Sequence, residues 1–330
     1  MAIRTPLCDL LGIEHPIMLA GMGGVAYAEL CAAVSEAGGF GTLGMAGLGP
    51  DRIREEMRKV RELTDKPFGV DLLAAQPATL EAAVDIIIEE GAAAFISGLG
   101  VPTSILGKLK QAGLKVMNVC GTVRHAVAGQ AAGLDAVIAQ GTEAGGHTGK
   151  VAGMALIPQI VDAVDIPVIA AGAIVDGRGL AAALAFGAQG VWMGTRFIAS
   201  TEAHAAPLYK EVILEASETD TIVTRCYSGK TMRVRSNDYV ADWERRAGEI
   251  QPFPQQAVLS HRAGVMGGIA GQIDGLDRDR SCFAMGQGAG AIRSVLSCRE
   301  IVEKTMAEAE AVIQTLSRWA GEGGTREAGG

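Results

Sequence analysis

Residues 139–150 read AQGTEAGGHTGK, and four glycines between Gly141 and Gly149 surround one carboxylate, Glu143, and one imidazole, His147. Glycine loses more conformational freedom on ordering than any other residue, so such a density marks a place where something approaches the main chain closely. An imidazole with an ordinary pKa of about 6.5 can accept or hold a proton near neutrality. His15, His125, His204 and His261 have no comparable glycine surroundings. His147 is therefore the candidate catalytic residue. A second chemistry is written into AAGAIVDGRG at 170–179 and WMGTRF at 192–197. Small residues there leave main-chain N–H groups bare near Gly172, Gly194 and Thr195, which suits a phosphate. A basic run, Arg225, Lys230, Arg233 and Arg235, reads either as a solvated face or as a contact for the phosphate of a nicotinamide or coenzyme A moiety.

These residues need a frame. Short apolar runs recur along the first part of the chain: PIMLA at 16–20, FGTLG at 40–44, FGVDL at 68–72, AFIS at 94–97, KVMNV at 115–119, DAVIA at 135–139, PVIAA at 167–171 and GVWMG at 190–194. Most are continuous rather than alternating, as parallel strands covered on both faces are. Helical spacing fills the gaps. Ala26, Leu30, Val34 and Ala37 share one face before Gly38 and Gly39, and Leu80, Val84, Ile87 and Ile88 share another after Pro77. Pro158 is expected in the opening turn of a further helix. Gly113, Gly133 and Gly187 each precede the next strand.

Eight strand–helix units predict an α/β chain folded as a (β/α)8 TIM barrel. A doubly wound sheet is the rival, because GMGGVA at 21–26 fits the loose GxGxxA dinucleotide pattern. The second strand ends in Leu43-Gly44-Met45, however, with no acid to hold a ribose hydroxyl, and the eight units favour the barrel. Residues 1–200 are read as the barrel, 201–280 as a C-terminal lid or substrate subdomain, 281–320 as a return loop and closing helix, and 321–330 as a disordered tail. The stripe Ile301, Met306, Ala309, Ile313 and Leu316 marks the closing helix.

Barrel chemistry lies at the C-terminal strand mouths. Here these offer Gly21-Met22, Gly44, Asp71, Ser97, Asn118, Gln140 with His147 beyond it, Gly172, and Gly194-Thr195. No lysine ends a strand, which disfavours a Schiff base. Two nearby acids, Asp71 and Glu143, are too few for an octahedral magnesium site, and no metal is expected. Six cysteines at 8, 31, 120, 226, 282 and 298 form no CxxC pair, so they read as buried thiols of a cytoplasmic protein. A formal charge of −8 makes nucleic acid an improbable partner. No apolar run reaches a membrane-spanning length.

HPIMLAGMGG, DKPFGVDL, AQGTEAGGHTG, IPVIAAGAIVDGRG and MGTRF together resemble the nitronate monooxygenase (2-nitropropane dioxygenase) family. Flavin-type enoyl-acyl-carrier-protein reductases carry much the same signatures. The resemblance runs over about the first 200 residues and returns at MGQGAG, 285–290. It implies an FMN-bearing barrel in which Ala20, Gly21 and Met22 line the flavin and Asp71, Gln140 and Gly145 contact its ring or ribityl chain. Gly172, Ala173, Met193, Gly194 and Thr195 would hold the phosphate, Gln287 would return to the flavin edge, and His147 would stand beside the ring. Asp71 replaces a common asparagine and Ala173 the second glycine of a common pair. The implied activity is oxidation of alkyl nitronates by O2 to carbonyl compounds and nitrite. The alternative is an NAD(P)H-dependent flavin reductase acting on an enoyl or other acyl thioester, or on a quinone. A more distant rival is a barrel that binds a phosphorylated ligand without catalysis. Oligomeric state stays open, with a homodimer among the expectations.

Overall fold

The computed structural model describes residues 3–74 and 77–323. Every one of the eight apolar runs is a strand. The barrel is built from β1 (Ile17–Leu19), β2 (Gly41–Gly44), β3 (Phe68–Leu73), β4 (Ala94–Gly98), β5 (Lys115–Cys120), β6 (Ala136–Gln140), β8 (Val168–Ala171) and β9 (Gly190–Met193). They pair in parallel in the order β1-β9-β8-β6-β5-β4-β3-β2. The two ends of that order meet: Leu19 N–H donates to Phe40 O and Phe40 N–H to Ile17 O, each at 2.9 Å. The sheet is therefore a ring, and the doubly wound alternative falls away.

Alternation along each strand divides two cores. Ile17, Leu19, Phe95, Val116, Val137 and Val191 point outward into the layer beneath the helices. Met18, Ile96, Met117, Ile138, Ile169 and Trp192 point inward. The inner core also takes in Leu7, Cys8, Leu11 and Ile13, three of them from the N-terminal helix Pro6–Leu11 or its end. That helix closes the barrel floor: a Cβ on Gly190, the first residue of β9, would lie 2.4 Å from Leu7 Cδ2.

The expected helices are present, and Gly113, Gly133 and Gly187 stand at their ends with φ of +85°, +97° and +89°. Pro158 is a correction. It lies inside the helix Gly153–Ala163, not in its first turn. The helix starts earlier because both carboxylate oxygens of Glu143 accept the Gly153 N–H at 2.9 Å, a capping charge at the positive end of the helix.

Beyond residue 200, the helix Pro207–Glu215 buries Tyr209, Val212 and Ile213 in the main core. The following segment has a small core of its own around Cys226, Tyr227, Met232, Val234 and Val240. It carries the strands β10 (Thr221–Thr224) and β11 (Met232–Arg235), and β11 pairs antiparallel with a two-residue strand, β7 (Gly146–His147), from the glycine-rich loop. The closing helix Cys298–Gly323 packs on the helix Gly177–Ala185. It buries Ile301, Met306 and Ala309, whereas Ile313 and Leu316 of the expected stripe are exposed. At 1.5 Å per residue a 26-residue helix overhangs a nine-residue partner. The tail expected from 321 falls largely outside the described residues. Among the described residues no helix is long and apolar enough to cross a membrane, and no cluster of His, Cys, Asp and Glu could hold a metal.

Candidate active site

A cavity of about 1030 Å³ opens where the barrel strands end. Ala20, Gly21, Met22, Asp71, Gln140, Gly145, His147, Gly172, Ala173, Gly194 and Thr195 all line it. Met193 and Gln287 do not. The Met193 side chain points outward into the main core, leaving its carbonyl to accept Ala20 N–H at 2.9 Å. Gln287 uses its main-chain N–H on Glu143 O at 2.9 Å.

The glycines of 139–150 answer first to chain crossings. A Cβ on Gly145 would lie 2.7 Å from Gly286 N, and Gly146 has φ +72°. The same loop is tied to the later chain by Thr148 N–H on Thr231 O at 3.2 Å and Thr231 Oγ1 on Thr148 O at 3.0 Å. Arg233 is nearly buried, and its Nε donates to Thr142 O at 2.9 Å. Of the basic run, Lys230 lines the cavity, Arg233 braces the loop, Arg235 donates to Arg278 O at 3.2 Å, and Arg225 is exposed. Neither single reading of that run fits all four residues.

Gln140 Nε2 donates to His147 O at 2.7 Å and so fixes the histidine backbone. His147 Nε2 lies 3.0 Å from Ser228 Oγ. Ser228 Oγ can donate to Lys230 O and can accept from Lys230 N–H, both at 3.2 Å. If the serine hydrogen points to Lys230 O, Nε2 carries its own proton and donates to Oγ. If the hydroxyl turns, the proton sits on the other ring nitrogen. Burial pushes the imidazole down to about 4, and the nearby Lys230 cation adds to the effect. His147 is uncharged at neutral pH.

Across the cavity, the Asp71 carboxyl is pushed well above its ordinary value by burial. Gly21 crosses it so closely that a Cβ there would meet Asp71 Oδ2 at 2.4 Å. The phosphate-like corner is also assembled. Gly172 has φ +106° and Ala173 φ +54°. The N–H groups of Ala173, Gly194 and Thr195 take no main-chain acceptor among the described residues, and Gly288 backs Ala173 so tightly that a Cβ would come within 3.0 Å of it. Thr195 Oγ1 accepts Gly286 N–H at 3.0 Å. Bare amides framed by small residues form a cradle that an anionic phosphate ester fits.

Ser228 and Leu99 belong to this site or to its walls and were not singled out by sequence reasoning, while Lys230 was read only as part of the basic run and His125 was set aside. Gly229 in YSGK was the available signal, since its φ is +86°. The pairing that gives Ser228 its role links residues 81 apart.

The chain is similar to known proteins in sequence and in fold. The family model described as nitronate monooxygenase matches residues 4–308. A probable nitronate monooxygenase of Staphylococcus saprophyticus is 36% identical over 307 residues, covering 79% of this chain and 86% of that one. The (3aS,4S,5R,7aS)-5-hydroxy-7a-methyl-1-oxo-octahydro-1H-indene-4-carboxyl-CoA dehydrogenase of Mycobacterium tuberculosis is 36% identical over 356 residues, covering 96% and 99%. The solved structure of FabK from Thermotoga maritima superposes with a TM-score of 0.88 at 39% identity, covering 96% and 99%.

Proposed function

The chain belongs to the nitronate monooxygenase family, and from that membership we propose that it is an FMN-dependent oxidoreductase in which His147 faces an anionic substrate, an alkyl nitronate. The observation that carries the reading is the union of an uncharged imidazole, a lysine and a bare-amide corner in one cavity. FMN, once bound, would supply the redox chemistry that links oxidation of the substrate to reduction of O2.

The protein's own part is to bind, orient and keep water out. Ala173, Gly194 and Thr195 would hold the phosphate through N–H groups that have no other main-chain acceptor. Lys230 supplies a positive charge that draws an anion toward the cavity. His147 offers a neutral ring, and when Ser228 Oγ donates to Nε2 the single ring N–H sits on Nδ1, free to donate to a substrate oxygen without adding charge. Overall, two nitronates and one O2 would give two carbonyl compounds and two nitrites, which places every oxygen atom.

A second reading is favoured by size. A cavity of about 1030 Å³ lies at the upper end of the ~300–1,000 Å³ range of ligand pockets, and Leu99, Val101 and Val119 give it apolar wall. An enoyl or other acyl thioester reduced at the expense of NAD(P)H would use that space. The M. tuberculosis relative is itself named for a carboxyl-CoA substrate. Six buried, unpaired cysteines suit a cytoplasmic setting for either activity.

Anaerobic mixing separates the two. The FMN-loaded enzyme is mixed with propyl nitronate and, separately, with NADPH, and flavin absorbance is followed. Bleaching by nitronate, with nitrite released in air, is the expected result. Bleaching by NADPH alone would discard the nitronate reading, and a protein that takes up no FMN would discard both.

A further inference from the structure

Asp71 stands apart from the other acidic residues of the fold. It lies on β3 beside Gly44 of β2 and Ile96 of β4, and its main-chain O accepts Met45 N–H at 3.1 Å. Its side chain turns inward and lines the cavity. Gly21 lies across the carboxyl, leaving no room for a side chain between them. Among the described residues no donor or cation meets the Asp71 carboxyl. Asp71 is half-buried in the open cavity; a carboxylate that a ligand closes off from water without a partner is costly, and the cheaper form is the acid. The acid has an O–H donor and a C=O acceptor side by side, the same pair of functions as the amide of asparagine.

We propose that Asp71 enters the cavity as a neutral carboxylic acid and grips, through its O–H and C=O together, an N–H/carbonyl edge of the bound ligand, so that ligand affinity falls as the solution becomes alkaline. The inference rests on the flavin reading above, because the pyrimidine edge of a flavin presents an N–H between two carbonyls. The direction of the Asp71 shift, caused by burial alone, agrees with it. The strands and loop packed on Asp71 contribute Gly44, Ile96, Gly21 and Met22, none of which titrates. The titratable groups elsewhere in the cavity are His125, His147, Lys150, Lys230 and Tyr209. His147 stays uncharged throughout the window because its value lies at about 4.

The test needs no turnover. Infrared spectra of the apoprotein should show a protonated-carboxyl C=O band at pH 7 that disappears in D71N. FMN binding, read by quenching of flavin fluorescence between pH 6 and 9, should weaken about tenfold per pH unit once Asp71 begins to ionise. D71N should bind with an affinity independent of pH and within about threefold of the wild type at pH 6. H261Q, at an exposed position of the helix Gln255–Arg262 away from the cavity lining, should keep the wild-type profile. If D71N does not fold by circular dichroism, D71S replaces it for the band assignment and should bind weakly at every pH. An ionised carboxylate at pH 7, or a pH profile that D71N and wild type share, would overturn the proposal. Failure to bind FMN at any pH with the infrared band intact would instead overturn the flavin reading, and with it the assigned ligand edge.

Discussion

His147 and Asp71 respond in opposite directions to the same loss of water. Burial lowers the imidazole and raises the carboxyl, so each is moved toward its uncharged form, and Lys230 is left as a charged group of the cavity. For His147→Ala we expect turnover to fall at least ~100-fold, the scale of a lost acid–base or positioning group, while the flavin spectrum is retained. Unaltered turnover would end its assignment. The pH dependence of folding follows from the same burial. As pH falls from about 6.5 the unfolded chain takes up a proton that folded His147 refuses until about 4. The stability that His147 confers is therefore complete above about 6.5 and lost on the way down to about 4, on the order of 2–3 kcal/mol. Urea midpoints at pH 7 and pH 5 should show this loss in the wild type and a smaller one in His147→Gln. Asp71 runs the other way, keeping its proton when the unfolded chain has released it, so D71N should melt several degrees higher than the wild type at pH 8 and no higher at pH 4.

Between the strand β8 and the helix Gly177–Ala185, the turn at 172–176 holds one of the two left-handed non-glycine residues that line the cavity, Leu99 being the other. Ala173 has φ +54°, a left-handed geometry that penalises an L side chain by roughly 1–2 kcal/mol. Ala173→Gly should raise stability by up to about 1 kcal/mol, the gain being reduced by the entropy of glycine in the unfolded chain, and should leave FMN affinity equal or tighter. A thermal melt and a flavin titration check both halves. The elements themselves were legible where the code is local. Apolar runs placed all eight barrel strands, and Gly113, Gly133 and Gly187 marked helix ends because only left-handed backbone fits there. Pro158 misled because the cap that sets the start of its helix comes from Glu143, ten residues back. β7 was invisible for a similar reason: two residues, Gly146 and His147, become a strand only when β11 arrives to pair with them.

Taken as a whole molecule, the ring of strands was readable from repetition, and much of the cavity lining from places at strand mouths. The segment after residue 200 was not, since Ser228 and Thr231 gain meaning only through pairings that span 81 or more residues. This segment does not hang over the cavity as a free flap. Its strand β11 is hydrogen-bonded to the loop that carries His147, so the two must order together. At the other end of the ring, Leu7, Cys8, Leu11 and Ile13 fill the base of the inner core. Removing residues 1–12 would turn a cup into a leaking tube. Far-UV ellipticity should survive that deletion, but the melting point should drop and FMN should escape faster, because water could then reach the reaction chamber from underneath.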